Sequence, residues 1–97
     1  MKLLIHPAVR RDVREVLEYY DGRSGTAGDR FYQQLMDALD ALTHHPERCH
    51  FIGEKHRRYN FPTFPYHVIF EVQEDTVRLL VLRHHKRHPA FGLKRRW

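Results

Sequence analysis

The stretch YHVIFEV, residues 66–72, places an aromatic or β-branched side chain at every second position. A period of two is typical of a β-strand that turns one face to the core. Residues 73–76, with the sequence QEDT, form a polar turn, and residues 77–82 form an apolar return strand. The sequence therefore predicts a β-hairpin over residues 66–82.

Two amphipathic helices are predicted upstream of this hairpin. The apolar face of the first helix follows the spacing i, i+4, i+7, i+8 and i+11, and consists of Val9, Val13, Val16, Leu17 and Tyr20. The apolar face of the second helix consists of Ala27, Phe31, Leu35, Ala38, Leu39 and Leu42. Pro7 fits the first turn of the first helix, Gly22 ends that helix, and Pro46 ends the second. A connection of about four residues predicts that the two helices form a helical hairpin.

Two short strands complete the predicted fold. Residues 2–6 contain three consecutive apolar residues, which are too few for a helix, and residues 57–61 can pair as a further strand before Pro62. The predicted order is β-α-α-β-β-β, an α+β fold in which the helical hairpin packs on one face of a small antiparallel sheet. No repeat or linker divides the chain, so we expect residues 1–97 to form a single domain with residues 92–97 as a basic C-terminal arm.

Positive charge is concentrated in the second half of the chain. The 97 residues carry 17 Lys and Arg against 12 Asp and Glu, a formal net charge of +5. Residues 1–50 hold seven basic against eight acidic side chains, whereas residues 51–97 hold ten against four. This polarity indicates an anionic partner, which could be a nucleic acid, an acidic protein or a membrane surface.

Several classes of protein are excluded by composition. Cys49 is the only cysteine, so an intrachain disulfide and a cysteine-rich zinc site are both excluded. The N-terminal apolar run is too short for a signal peptide, and nothing approaches the ~20 apolar residues of a membrane span. His84 and His88 have an H-x3-H spacing, but no cysteine pair or carboxylate supports zinc binding. We therefore expect a cytoplasmic protein with no metal, no cofactor and no membrane contact.

Four features follow one another in an order that matches a known family. They are the Tyr19-Tyr20 pair, the helix opening from Ala27 to Phe31 with Leu35 and Leu39 behind it, Arg58 ahead of Phe64-Pro65-Tyr66, and the run His84-His85-Lys86-Arg87-His88-Pro89. In this order and spacing, the chain resembles the RelE/ParE superfamily of type II toxin–antitoxin toxins from Leu3 to Phe91. One departure is His88, because relatives often carry an acidic residue before the proline.

The resemblance implies a βααβββ fold and a growth-arresting toxin that a cognate antitoxin neutralises. RelE-like members of the superfamily cut mRNA in the ribosome, and ParE-like members poison DNA gyrase. The long helical hairpin, residues 7–45, resembles the ParE branch, so we expect a gyrase inhibitor that is not an enzyme. The alternatives are a RelE-type ribosome-dependent mRNA endonuclease and a non-toxic basic binding module.

The resemblance also implies that an extended antitoxin tail wraps the toxin. Such a tail would bind an exposed groove or add a strand to an open sheet edge. On this chain the candidates are the open edge of the sheet and the surface of the helical hairpin. The hairpin residues concerned are Val9, Val13, Leu35 and Leu39, and the alternative is that the same apolar side chains face the protein's own core.

Under the ribonuclease alternative, the basic residues near the end of the sheet would be catalytic. Cleavage by the 2′-hydroxyl requires a base, an acid for the leaving 5′-oxygen and cations around the phosphate. A histidine with a pKa near ~6.5 can serve as acid or base at neutral pH. The candidates are Arg58, Arg83, His84 and Arg87. The same residues could equally form a solvated, cationic end of a strand.

Under the gyrase hypothesis, the basic C-terminal end is the predicted target-binding surface. Its residues are Lys86, Arg87, Lys94, Arg95, Arg96 and Trp97. Residues 92–97 have no hydrophobic period, so they form either a flexible tail without a role or an arm that contacts gyrase, DNA or the antitoxin. The arm is favoured by Trp97, because an aromatic side chain at the end of a cationic segment offers an anchor.

Overall fold

The computed structural model describes all 97 residues and confirms the predicted order of elements. The elements are β1 (Lys2–Ile5), α1 (Val9–Asp21), α2 (Ala27–His44), a 3₁₀ turn (Pro46–Arg48), β2 (His56–Asn60), β3 (Tyr66–Gln73) and β4 (Thr76–His84). The β3–β4 turn is shorter than predicted, because Gln73 pairs with Thr76 and only two residues remain to reverse the chain. Neither helix combines the length and the apolar character needed to cross a bilayer.

The four strands form one sheet in the order β1-β4-β3-β2. The pairings of β2 with β3 and of β3 with β4 are antiparallel, as predicted. Strand β1, however, runs parallel to β4, with Lys2 opposite Thr76 and Ile5 opposite Leu79. The expectation of a wholly antiparallel sheet is thus corrected to a mixed sheet. Two helices separate β1 from the other strands, so no tight turn forces it to be antiparallel to its neighbour.

Both helices pack on one face of the sheet with the apolar faces that the sequence predicts. Their buried apolar residues are Val9, Val16, Phe31, Leu35, Ala38 and Leu42. These side chains belong to one core cluster with Phe61, Val68, Phe70, Val77, Leu79 and Leu82. Phe31 is completely buried, and its ring centroid lies 5.3–5.5 Å from those of Phe61, Phe64 and Tyr66. This aromatic group joins the start of α2 to the sheet.

The opposite face of the sheet, here called the outer face, is covered in part by residues 89–97. The register places His67 opposite Arg83 and Ile69 opposite Val81 on this face, and both Ile69 and Val81 are completely buried. Gly92, at φ +81°, packs directly on Val81, since a Cβ atom at this position would lie 2.6 Å from Val81 Cγ2. Only glycine combines this backbone conformation with so close an approach.

Candidate functional site

Hydrogen bonds join four basic side chains on the outer face, Arg83, His67, His85 and Arg58, which we call the outer-face network. Arg83 Nε donates to His67 Nε2 over 2.8 Å, and His67 Nδ1 lies 2.9 Å from His85 Nδ1. Arg58 Nη2 lies 3.3 Å from the same His85 nitrogen, and Arg58 Nε donates to Asn60 Oδ1 over 2.7 Å. The two imidazole rings stack, with centroids 5.2 Å apart and planes 13° from parallel. The network thus links β2, β3 and β4 at the end of the sheet.

The hydrogen bonds assign the proton positions in the network. Because His67 Nε2 accepts from Arg83, the proton of a neutral His67 is on Nδ1 and is donated to His85 Nδ1. Burial and the neighbouring Arg58 and Arg83 cations lower the pKa of His67 to about 3. Burial and Arg58 also lower the pKa of His85. Both imidazoles are therefore neutral at neutral pH, and His85 carries its proton on Nε2.

Arg83 is a buried cation without a carboxylate partner. Its Nη1 donates to the carbonyl oxygens of Pro89 and Phe91 at 2.6 and 2.9 Å. Burial, followed by the nearby Arg58 cation, lowers the pKa of its guanidinium. The charge of Arg83 is stabilised by two carbonyl dipoles and an imidazole. The same bonds hold the segment after β4 against the outer face.

The four residues predicted for a ribonuclease do not all meet at one place, and Arg83 contributes to two. Arg58 and Arg83 lie in the outer-face network. His84 lies on the other face of β4 against Tyr66, with ring centroids 5.0 Å apart, and its Nδ1 accepts the backbone N–H of Lys86. Arg87 stacks on the Phe91 ring at 4.0 Å and, with Arg83 and His84, lines a cleft of ≈ 230 Å³ beside α1. Three of the four residues thus line one cleft, and Arg58 does not line it.

Residues 92–97 fold back on the domain instead of extending from it. Arg95 Nη1 and Nη2 donate to the Asp12 carboxylate at 2.6 and 2.8 Å, forming what we call the Asp12–Arg95 clasp. Arg95 Nη1 also donates to Leu80 O, and Asp12 Oδ2 accepts the backbone N–H of Leu82. The pairing of β4 with β1 stops at Leu79. The clasp therefore supplies hydrogen-bond partners for the backbone of β4 beyond the end of β1. Arg95 is thus engaged inside the molecule, which a free basic arm would not allow.

The chain terminus is also held against the domain. His6 Nε2 lies 2.7 Å from the carbonyl oxygen of Arg96, and the Trp97 ring contacts His6 edge to face at 5.1 Å. The Arg78 guanidinium stacks on Trp97 at 4.4 Å. Among the other predicted target-binding residues, Lys86, Lys94 and Arg96 have exposed side chains.

A second feature, here called the hairpin groove, lies between the two helices and β1. It has a volume of ≈ 950 Å³ and an apolar floor. The lining includes Ile5, Val9, Val13, Leu17, Leu35 and Leu39. Arg10 and Arg14 flank it along α1, and Glu18 and Asp21 follow them. The four hairpin residues that the family resemblance suggests for an antitoxin all line this groove, although Val9 and Leu35 are themselves buried in the core.

The sequence reasoning missed His67 and Asp12 as members of these sites. His67 is 1% exposed and Asp12 is 7% exposed, although neither belongs to the apolar periodicity that predicts the core. Asp12 did carry a signal, because it lies next to Val13 and between Val9 and Val16 on the buried side of α1. No group of three or more His, Cys, Asp or Glu side chains is placed to hold a metal ion.

Comparisons with known proteins agree with this architecture. The family described as the ParE toxin of the type II toxin–antitoxin system parDE matches residues 3–89. A solved structure of the chromosomal ParDE toxin–antitoxin system from P. aeruginosa superimposes with a TM-score of 0.75 at 14% sequence identity. The alignment covers 87% of this chain and 95% of that chain, and at this identity it shows the fold alone. No curated protein matches the sequence. Since the family match extends over most of the chain, the protein belongs to the ParE toxin family of type II toxin–antitoxin systems.

Proposed function

We propose that this protein arrests bacterial growth by binding DNA gyrase and blocking it, and that a cognate antitoxin neutralises it. The observation that carries the proposal is the match to the ParE toxin family over residues 3–89. The position of Arg58 outside the cleft that Arg83, His84 and Arg87 line supports it, because 2′-hydroxyl cleavage requires acid, base and cations to meet at one phosphate. His67, the histidine closest to Arg83, stays neutral at neutral pH because its pKa is about 3, so it is a poor proton donor there.

The gyrase contact is proposed to involve the exposed cations at the C-terminal end. Lys86, Lys94 and Arg96 have exposed side chains, and Trp97 is 42% exposed. A cationic surface with an aromatic member suits an acidic protein surface or the DNA that gyrase holds. Arg95 is not part of this proposed contact, since the Asp12 carboxylate already takes its guanidinium.

The gyrase proposal is tested with purified protein in a supercoiling assay, alongside cleavage of ribosome-bound mRNA. We expect supercoiling to be inhibited and the mRNA to stay intact. The double variant Lys94→Ala/Arg96→Ala should need several-fold more protein for half inhibition, since each exposed charge contributes up to about 1 kcal/mol. His84→Ala, the matched control, should inhibit like the parent chain.

Point variants are preferable to a deletion of residues 93–97, because such a deletion would also remove Arg95 and leave Asp12 buried without its partner. The opposite result, codon-positioned mRNA cuts that disappear in His84→Ala while gyrase runs normally, would assign the protein to the ribonuclease branch.

The antitoxin is proposed to lie in the hairpin groove and along β1. An amphipathic segment would bury apolar side chains on the groove floor, and its acidic residues would meet Arg10 and Arg14, which have no ion-pair partner in the chain. Strand β1 is an edge strand with Leu4 48% and Ile5 43% exposed, so it can also accept a further strand.

Two neighbouring variants on β1 test the position of the antitoxin. Ile5 lines the hairpin groove, whereas Leu4 alternates to the outer face and does not. Ile5→Lys should keep the chain toxic on induced expression but weaken rescue by the co-expressed antitoxin, because a charge enters the apolar floor. Leu4→Lys introduces the same charge at a similarly exposed position and should leave both toxicity and rescue unchanged. Equal rescue of both variants would place the antitoxin elsewhere.

A further inference from the structure

The outer-face network concentrates positive charge without any acidic partner. None of the hydrogen bonds of Arg83, His67, His85 and Arg58 involves a carboxylate. The five ion pairs of the molecule use the acidic residues Asp12, Asp40, Glu47 and Glu71, and none includes either network arginine. Two guanidinium charges are therefore left unneutralised at one end of the sheet. Such a surface attracts an anion from solution.

The donors of the network are unevenly used. Arg83 is buried, and its Nε and Nη1 are already bonded to His67 and to two backbone carbonyls. Arg58, in contrast, has no partner for Nη1 within the molecule. His85 is exposed and accepts on Nδ1, so the proton on its Nε2 is also without a partner. The N–H donors of Arg58 Nη1 and the Nε2–H of His85 are thus free on two side chains that touch each other.

We propose that Arg58 and His85 form an oxyanion site that binds a phosphate group, with His67 and Arg83 holding His85 in place behind it. The Nη1 group of Arg58 can donate a charge-assisted hydrogen bond to a phosphate oxygen, and the imidazole N–H of His85 can bind a second oxygen of the same phosphate. The second guanidinium charge behind the site favours an anion with more than one negative charge over a single carboxylate. This proposal goes beyond gyrase binding and does not depend on it.

The site is tested on the purified, ¹⁵N-labelled full chain by titration with inorganic phosphate at constant ionic strength. We expect a saturable shift of the His85 imidazole resonances in ¹H–¹⁵N spectra, with a smaller shift of His67. Arg58→Gln should weaken binding at least about tenfold, because it removes a charged hydrogen-bond donor. Arg48→Gln removes an equal charge from an exposed arginine without side-chain partners, and it should leave the affinity unchanged.

Further measurements keep the test decisive. His85→Ala alters an exposed residue and should also weaken phosphate binding, which covers the case in which Arg58→Gln fails to fold. A short oligothymidylate distinguishes the source of the phosphate. If it competes with inorganic phosphate and shifts the same resonances, the site binds a nucleic-acid backbone. If it does not compete, the site binds free phosphate or a small phosphate ester. No saturable shift with either probe, or equal weakening by Arg48→Gln, would overturn the proposal. Since gyrase is absent from the experiment, its outcome is separate from that of the supercoiling assay.

Discussion

The two faces of the sheet are built on different physical principles. The face under the helices, here called the helix face, is covered by packed apolar side chains, and Phe31, Leu42 and Phe70 are completely buried there in one cluster. The outer face buries His67 and Arg83 as well, and it relies on directed hydrogen bonds to hold them. Apolar packing accepts many side chains of similar volume, whereas a buried polar group needs one particular partner. The helix face therefore specifies the fold, and the outer face specifies where the chain terminus lies.

The largest expected loss of stability comes from a change on the helix face, the sheet face that packs under the helices. Phe31→Ala should lower the free energy of unfolding by about 4 kcal/mol, because it removes a fully buried ring and leaves a cavity between α2 and the sheet. Urea denaturation of the purified chain measures the change. Tyr32→Ala, the neighbouring residue at 49% exposure, is the control and should cost less than about 1 kcal/mol. Similar losses in the two variants would show that the helix face does not carry the stability assigned to it.

A somewhat smaller effect is expected at the Asp12–Arg95 clasp, which holds residues 92–97 against the domain. Arg95→Ala should cost about 3 kcal/mol, because it leaves the Asp12 carboxylate buried without its cation. Lys94→Ala changes the adjacent exposed cation and should stay within about 0.5 kcal/mol of the parent chain. Urea denaturation again gives both values. If Arg95→Ala lost no more free energy of unfolding than Lys94→Ala, residues 92–97 would be held by their other contacts and not by the clasp.

The smallest effect concerns pH and belongs to the outer face alone. The pKa of His67 is about 3 in the folded chain, below its ordinary value of 6.5. Between these values the unfolded chain binds the extra proton, so the stability present above pH 6.5 decreases as the pH falls. We expect a loss of about 1.4 kcal/mol for each pH unit from this residue.

The measurement compares the free energy of unfolding at pH 6 and pH 4.5 in the parent chain and in His67→Gln. The parent chain should lose more stability than the variant over this range. His50→Gln changes an exposed histidine outside the network and should follow the parent chain. A parent chain that loses no more than His67→Gln would mean that His67 becomes protonated in the fold without penalty.

Local patterns in the sequence were sufficient to predict the secondary structure and the family. The period-two strand at residues 66–72 and the helical spacing of residues such as Phe31 and Leu35 depend only on side chains that are close along the chain. Each of these elements is present in the structure, and the family match confirms the superfamily resemblance and favours the ParE branch within it. The hairpin groove was also anticipated in outline, because its floor consists of residues on the predicted helical faces.

Only the tertiary structure decided the direction of β1, the outer-face network and the position of the C-terminal segment. Asp12 and Arg95 are 83 residues apart in sequence, and His67 meets Arg83 only through the register of β3 and β4. A charged residue has no period that reveals whether it is solvated or buried, since its energy depends on the partner that a distant segment brings to it. The sequence by itself therefore determined which elements form, because hydrophobic burial follows local periodicity. The pairing of its buried charges was decided by tertiary contacts, because those interactions depend on geometry in three dimensions.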